Sequence, residues 1–376
     1  SWGAAHDEGE LDPELVDAMA RASLHEEEQQ EDVSPCHHSA QDCLRWMEVT
    51  VSAGTESVLD CWEETCGDVM TQCTIRSCVA DAPLFEEEVT HSLATSLQHL
   101  QEVDPVVLTF QRIPMPSSAL LFFPSLMMCC PSMQVLSLQD CRVDPNTWRL
   151  LCQGMANLLP GVPPPSYRSL SFARSLPTNA LNESVASLCA SALTHHSLVL
   201  LDVQGNRLED FHIRQLCFAL QEQHQLKILN LNDNRMEDGG AAACGRLIYL
   251  LRGSSLENVA LRGNLIRDDG ARQLAQQLLA SRCGNLLHLD LSANHKISDE
   301  GSRECAKAVM TSSLLQTYCG LPLDDLREQR ATSSLEFPRG ALIFLPQWWA
   351  LCSSLRFNHT LRTLDWTQAT ACSLSP

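Results

Sequence analysis

The segment LKILNLNDNRM, residues 226–236, decides the fold. It places apolar side chains at its first, fourth, sixth and eleventh places and an asparagine at its ninth place. Alternation of apolar and polar residues from the fourth to the sixth place is typical of a strand with one buried face. Asparagine is a common turn residue, so we expect the chain to turn at the ninth place.

The same pattern recurs along the chain at spacings such as 28 and 30 residues, which predicts a repeat protein. Weaker copies begin at Pro105 and Tyr167, and the register decays beyond residue 314. We therefore predict repeats over 105–320 and degenerate repeats or a cap over 321–376. The five strong copies begin at Met133, Leu198, Leu226, Leu256 and Leu286.

Each strong copy from residue 226 onward continues into a segment that predicts a helix. Asp238 and Asp268 each stand four residues after the ninth-place asparagine, and a glycine follows two residues later. An aspartate there can cap the first free N–H groups of a helix. The apolar spacing that follows gives the helix one buried stripe. One such unit has too small a core to be stable alone, so stacking must bury the leucine places in one interior.

The ninth places are predicted to form a structural ladder through the stacked coils. A side-chain amide both donates and accepts, so one amide per coil at the same height can bond to backbone groups of adjacent coils. The ladder residues are Cys141, Asn206, Asn234, Asn264 and Asn294.

The stretches LNLNDNRMEDGG and LRGNLIRDDGARQLAQQL, residues 229–240 and 261–278, resemble leucine-rich repeats of the ribonuclease-inhibitor type. That family includes ribonuclease inhibitor, Ran GTPase-activating proteins and the sensing tails of NOD-like receptors. The resemblance covers roughly residues 105–320. It implies an α/β solenoid, shaped as a horseshoe, with a parallel sheet on the concave face and helices on the convex face.

The resemblance also implies that the third, fifth, seventh and eighth places face a partner. Four aspartates against one arginine make this strip mildly acidic, which favours a protein partner with a basic patch. The alternative is that these are ordinary solvated residues and that a partner binds a loop or the acidic N-terminal region. The implied partner-facing residues are Ser137, Gln139, Asp140, Asp202, Gln204, Asn230, Asn232, Asp233, Asn258, Arg262, His288, Asp290 and Ser292.

Most of the net charge of −20 lies in residues 1–104, which hold 24 of the 46 acidic residues but only 3 of the 26 Lys and Arg. We expect this Cys-containing region to be helical or partly disordered, with a helix over 84–100 that caps the first repeat. An acidic region ahead of a nearly neutral body argues against binding to nucleic acid.

The 18 cysteines are expected to be reduced thiols, which favours the cytoplasm, with the nucleus as the alternative. Four of them recur at or within one residue of the same place of their repeat and are predicted to pack in the core: Cys152, Cys217, Cys244 and Cys305. Two N-terminal clusters of Cys and His allow two interpretations, a zinc site or scattered thiols. The first cluster is Cys36, His37, His38 and Cys43, and the second is Cys61, Cys66, Cys73 and Cys78.

The sequence contains no phosphate-binding P-loop, no HExxH and no GxSxG motif. We therefore expect an interaction scaffold that is not an enzyme and that uses no cofactor or metal. A small molecule is disfavoured as its ligand. A GTPase-activating protein of the Ran type and a ribonuclease-inhibitor-like inhibitor are the alternatives.

The longest apolar stretch, residues 119–130, is interrupted by Pro124 and is too short for a membrane span, and no signal peptide is recognisable at Ser1.

Overall fold

The computed structural model describes residues 47–54, 70–77, 86–156, 167–191, 197–281, 284–311, 314–323, 334–336, 342–343, 345–355, 363–365 and 370–371. The chain divides into two units, Ser1–His37 and His38–Pro376, and all described residues belong to the second. Within it, strands and helices alternate along one continuous sheet.

Eleven strands form the main sheet, and the strands between its two ends are parallel. In order across the sheet they are β1 (Met47–Gly54), β2 (Met70–Ser77), β3 (Val107–Gln111), β5 (Val135–Gln139), β7 (Ser169–Ser171), β8 (Leu200–Asp202), β9 (Ile228–Asn230), β10 (Asn258–Ala260), β11 (His288–Asp290), β12 (Thr317–Tyr318) and β13 (Leu321–Pro322). Two further strands, β4 (Pro114–Met115) and β6 (Arg142–Val143), pair with each other beside the sheet.

Helices connect the parallel strands, because neighbouring parallel strands require a crossover connection. They are α1 (Glu86–Val103), α2 (Phe122–Cys129), α3 (Pro145–Met155), α4 (Leu181–Ser191), α5 (Asp210–Leu220), α6 (Asp238–Leu250), α7 (Asp268–Ser281), α8 (Asp299–Thr311) and α9 (Leu345–Leu355). Two 3-10 turns, Ser117–Ala119 and Thr178–Ala180, precede α2 and α4. The fold is the predicted leucine-rich-repeat solenoid.

The apolar places of the repeats form one core through the stack. In the copy that begins at Leu226, the four apolar places are at most 1% exposed. The weak copy that begins at Tyr167 is joined to this core by Trp148 of α3. Its ring lies edge-on to Phe172 with a centroid distance of 4.9 Å, and its Nε1–H donates to the Ser184 carbonyl at 2.9 Å.

The four recurrent cysteines are part of the same core, as the sequence predicts. Cys152, Cys217, Cys244 and Cys305 are between 1% and 6% exposed. Burial raises the pKa of Cys305 to about 12, and a hydrogen bond with Cys244 together with burial raises the pKa of Cys217. Thiols held in the neutral form in a core act as small apolar side chains.

The described part of the N-terminal region contains strands in addition to the expected helix. Two of its described segments are the strands β1 and β2, which pair with each other antiparallel, and β2 continues the parallel sheet into β3. The helix expected over 84–100 is α1, at Glu86–Val103. It connects two adjacent parallel strands, so it occupies the position of a repeat helix rather than that of an end cap. The sheet therefore starts well before residue 105.

The C-terminal region keeps the repeat spacing after the main sheet ends. Cys319 and Gly320, both with positive φ, turn the chain back between β12 and β13, which pair antiparallel. Helix α9 packs on α8, and Ala350 and Leu351 are buried there. Short parallel pairs flank α9: β14 (Ser334–Glu336) with β16 (Thr363–Asp365), and β15 (Leu342–Ile343) with β17 (Thr370–Ala371).

Candidate functional site

The candidate site is the exposed face of the parallel sheet, where the register aligns equivalent residues of successive repeats. The fifth places form one continuous row across seven strands. Hydroxyl side chains occupy its first half, and Asp, Asn and Ala occupy its second half. The row runs Thr109, Ser137, Ser171, Asp202, Asn230, Ala260, Asp290.

The chain leaves each strand through a left-handed residue at the eighth place. Asp140, Arg174, Gly205, Asp233 and Gly263 all have φ between 51° and 69°. The N–H of each donates to the carbonyl of the seventh-place residue in the next coil, at 2.8–3.0 Å. This turn ends the sheet row at the same height in every coil, and it fixes where seventh- and eighth-place side chains emerge.

Asp140 is not a free acidic group of this face. Its carboxylate forms an ion pair with Arg174, and the Nη2 of that arginine lies 2.9 Å from Oδ2. The sequence reasoning missed this partner because Arg174 belongs to the weak copy that begins at Tyr167. The count of four aspartates against one arginine is therefore wrong for the folded face, which is less acidic than expected.

The fifth-place Asp and Asn side chains have a local structural role that the repeat template does not reveal. Each accepts a hydrogen bond from the N–H two residues later: Asp202 from Gln204 at 3.0 Å, Asn230 from Asn232 at 3.1 Å, and Asp290 from Ser292 at 2.8 Å. Asp and Asn commonly bond in this way to their own backbone two residues on. One side-chain oxygen of each residue therefore stabilises the turn.

Asp202 is the most enclosed carboxylate of the row. Its second oxygen accepts from the Ser171 hydroxyl at 3.0 Å. Burial raises its pKa, while the bonds from Gln204 and Ser171 and the charge of Arg174 lower it by less. Because both oxygens accept hydrogen bonds from the fold, this carboxylate offers less to a partner than its sequence position implies.

Two of the thirteen implied partner-facing residues are buried. Ser137 is 5% exposed and accepts from Gln139 Nε2 at 3.2 Å, and Ser292 is 7% exposed. Small side chains at these positions sit below their longer neighbours, so they cannot offer surface to a partner. Gln139, Gln204, Asn230, Asn232 and Asn258 are half-buried.

One group of accessible polar side chains lies on or just after the strands β9 to β11. Asp233 and Arg262 are exposed, and His288 and Asp290 are half-buried. Asp233 lies against Gly263 of the next coil, and the Arg262 N–H donates to Asn232 Oδ1 at 2.8 Å. His288 Nδ1 lies 2.8 Å from the Thr317 hydroxyl. We call these four residues the concave cluster: Asp233, Arg262, His288 and Asp290.

The side chains of the ninth-place asparagines bond to the backbone of the preceding coil and of their own coil. Asn234 Oδ1 accepts from the N–H groups of Asn206 and Leu208 at 3.0 and 2.9 Å, and its Nδ2 donates to three carbonyls. Asn206, Asn264 and Asn294 make equivalent bonds.

Two ninth places depart from asparagine. Cys141 Sγ donates to the Phe110 carbonyl at 3.4 Å. Ser175, which the sequence reasoning did not identify, accepts from the Cys141 N–H at 3.0 Å and so continues the ladder through the weak repeat.

The helix-start aspartates act between coils, since each accepts N–H groups at the start of the next coil's helix. Asp238 Oδ1 accepts from Arg267 and Gly270 of the next coil at 2.8 and 2.9 Å. Asp268 likewise accepts from Ser298 and Gly301. The glycine near the start of the next helix leaves space for this approach, Gly270 for Asp238 and Gly301 for Asp268. These bonds fix the convex helices relative to one another.

Of the eight candidate zinc ligands, Cys73 is the one whose side chain the structure describes. It is 2% exposed in β2 within the core, and burial raises its pKa to about 12. A zinc-bound cysteine must be a thiolate, so this position does not suit a ligand. Cys36, His37, His38, Cys43, Cys61, Cys66 and Cys78 lie outside the described residues.

The described part of the chain contains neither a metal-type cluster nor a membrane-type helix. No group of three or more His, Cys, Asp and Glu in that part of the chain could hold a metal ion. No helix there combines the length and the apolar character that a membrane crossing requires.

Comparison with known proteins agrees with the repeat fold. The family described as Leucine Rich repeat matches residues 223–243 and 282–302, which contain β9 and β11 with the starts of α6 and α8. No curated protein matches the chain.

Two solved structures illustrate the similarity. An internalin from Listeria monocytogenes is 15% identical over 58% of this chain and 55% of its own, with a TM-score of 0.36. TLR13 in complex with ssRNA13 is 15% identical over 56% of this chain and 30% of its own, with a TM-score of 0.30. This chain therefore spans less than two thirds of either protein.

Proposed function

We propose that this leucine-rich-repeat protein binds a protein partner on the concave face of its sheet, centred on the concave cluster. Leucine-rich-repeat proteins generally act in protein–protein interaction. The observation that carries the proposal is the exposure of Asp233 and Arg262 in the turns after β9 and β10, beside Asp290 of the adjacent strand β11. A rigid backbone holds both groups in fixed positions, which reduces the entropy lost on binding.

The charge of the cluster favours a partner with a small basic patch. With Asp140 paired to Arg174, the cluster contributes Asp233 and Asp290 against Arg262. A complementary patch would accelerate encounter and orient the partner more than it would add affinity. Nucleic acid is disfavoured as a partner for the same reason, since its phosphates would meet these two carboxylates.

The proposed activity is binding without catalysis. The hydroxyl groups of Ser171 and Thr317 each join neighbouring strands of the sheet, Ser171 through Asp202 and Thr317 through His288, and we assign both pairs to the fold. The assignment to the ribonuclease-inhibitor type of repeat is supported by a helix of 11 to 14 residues in each of the coils from α3 to α8. None of the described contacts favours GTPase activation or ribonuclease inhibition.

Site-specific photocrosslinking in cells tests the proposal. A benzophenone amino acid replaces Arg262 on the concave face or, as the control, Gln276 on the exposed side of α7. We expect one discrete protein adduct from position 262 that position 276 does not give. The same adduct from both positions, or none from position 262, would contradict concave-face binding.

A further inference from the structure

One junction between the convex helices differs from its neighbours. The starts of α6, α7 and α8 donate backbone N–H groups to an aspartate of the preceding helix, which is Asp210, Asp238 or Asp268. Between α4 and α5, the described polar contact at the helix starts joins two side chains, Asn182 and His212. A backbone N–H does not titrate, whereas an imidazole can gain a proton between about pH 5 and 8. The α4–α5 junction is therefore the one of these four whose donor titrates.

Both ring nitrogens of His212 are engaged, which fixes the position of its proton. Nδ1 lies 3.1 Å from the backbone nitrogen of Glu209, whose N–H donates to it. Nε2 lies 2.8 Å from Asn182 Oδ1. Because a carbonyl oxygen only accepts, Nε2 carries the proton and donates it. The imidazole is therefore neutral in this arrangement.

Nδ1 of His212 also serves the start of α5. Glu209 precedes the first residue of that helix, and His212 stands at the third helical position. A side chain at this position that accepts the N–H of the capping residue is part of a capping box, in which Glu or Gln is usual. His212 is 5% exposed, so water has little access to replace either bond. The imidazole therefore joins α4 to α5 and caps α5 at once.

The surroundings of His212 oppose its protonation. Burial lowers the pKa of the imidazole, and the charge of Glu209 raises it by less. The other charged groups on the segments around the ring contribute no comparable effect. They are Glu183 on α4, Arg207 in the turn after β8, Asp210 and Arg214 on α5, and Glu237 and Asp238 at the start of α6.

We propose that the contact between Asn182 and His212 is a pH-sensitive joint of the solenoid, which opens the first turn of α5 when His212 takes up a proton. The proton can enter only at Nδ1, because Nε2 already carries one. Two N–H groups would then face each other, and the Glu209 N–H would lose its acceptor. The same turn holds Asp210, which accepts from Glu237 and Gly239 at 2.7 and 2.9 Å. Opening of this turn therefore loosens α5 from both neighbouring coils.

Hydrogen exchange of the full chain at about pH 7.5 and about pH 5 tests the proposal, with each rate divided by that of the unfolded chain at the same pH. Since the folded ring has the lower pKa, the opened turn binds the proton more tightly. Protection therefore falls as pH drops from the ordinary histidine value, about 6.5, to the folded value. We expect the amides of residues 209–213 to lose protection at least ~3-fold.

Helix α7 is the internal reference for this measurement. The Asp238 carboxylate accepts the N–H groups at its start, so its amides should keep their protection over the same pH range. Equal loss at residues 209–213 and in α7 would show general acid destabilisation and overturn the proposal. Unchanged or increased protection of residues 209–213 at the lower pH would overturn it as well. Both outcomes are read from the parent chain, so they do not depend on the folding of a variant.

Two histidine variants form a matched pair. His212→Gln offers an acceptor to the Glu209 N–H and a donor to Asn182 but does not titrate, so protection at residues 209–213 should no longer depend on pH. His224→Gln replaces an exposed histidine in the turn after α5 and should behave as the parent. A pH-dependent loss in His212→Gln equal to that of the parent would contradict the assignment to His212. None of these results bears on the concave face.

Discussion

At the residue scale, the fifth places show how the same side chain serves the fold and the surface. Asp202, Asn230 and Asp290 each use one oxygen to accept the N–H two residues later. A partner can contact the second oxygen of an aspartate, or the amide NH2 group of Asn230. In Asp202 this oxygen is also taken, by Ser171, so the residue belongs to the fold more than to the binding face.

The raised pKa of Asp202 gives a prediction about stability. Burial is the dominant cause of the shift. A carboxyl with a higher pKa in the folded chain holds its proton more tightly there, so its contribution to the free energy of unfolding falls as pH rises from the ordinary Asp pKa, about 3.9, through the folded value. Asp202→Asn keeps an oxygen for the Gln204 N–H and carries no charge. We expect it to increase the free energy of unfolding at about pH 7.

Urea unfolding between about pH 7 and pH 4 measures this effect. The advantage of Asp202→Asn should shrink as the pH approaches the ordinary Asp value, because the parent carboxyl then becomes neutral as well. Asp233→Asn is the matched control, since Asp233 is exposed and asparagine tolerates the left-handed backbone there. A variant that is less stable than the parent at pH 7 would contradict the assigned role.

At the element scale, the sequence predicted the repeat unit but not all of its connections. The strands and helices of the strong copies follow from apolar spacing, because the spacing determines which side chains each element buries. The bonds from Asp238 and Asp268 to the next coil could not be read from one repeat, because they depend on how coils stack. The strands β1 and β2 were missed because their segments do not match the repeat template.

The glycine at the start of α7 tests the contact between coils. A Cβ on Gly270 would lie 2.8 Å from the Asp238 Cα and 2.5 Å from its Oδ1, and both atoms are held by the stack. We expect Gly270→Ala to lower the free energy of unfolding by about 1–3 kcal/mol through overpacking. Chemical denaturation measures this change.

Gly253→Ala is the matched control for this prediction. No heavy atom lies within 4 Å of a Cβ placed at Gly253, so the change there should stay within about 0.5 kcal/mol. Equal effects of the two substitutions would show that loss of glycine itself, and not the approach of Asp238, determines the result.

At the scale of the whole molecule, the fold was predictable from the sequence to a greater degree than the site. The template located the face and its rows, because strand period alone assigns side chains to one side of a sheet. It could not identify which aspartates are free, since the Arg174 partner of Asp140 and the Ser171 partner of Asp202 lie 34 and 31 residues away in the chain.

The affinity of the crosslinked concave-face partner for purified variants tests the central claim most directly. We expect the double variant Asp233→Asn, Asp290→Asn to weaken binding ~10-fold and to reduce its dependence on salt, because it removes the two carboxylates of the concave cluster. Asp269→Asn with Glu304→Gln removes two carboxylates from the helices α7 and α8, and should leave the affinity unchanged. An unchanged affinity in the concave double variant, or an equal loss in both, would contradict binding at the concave cluster.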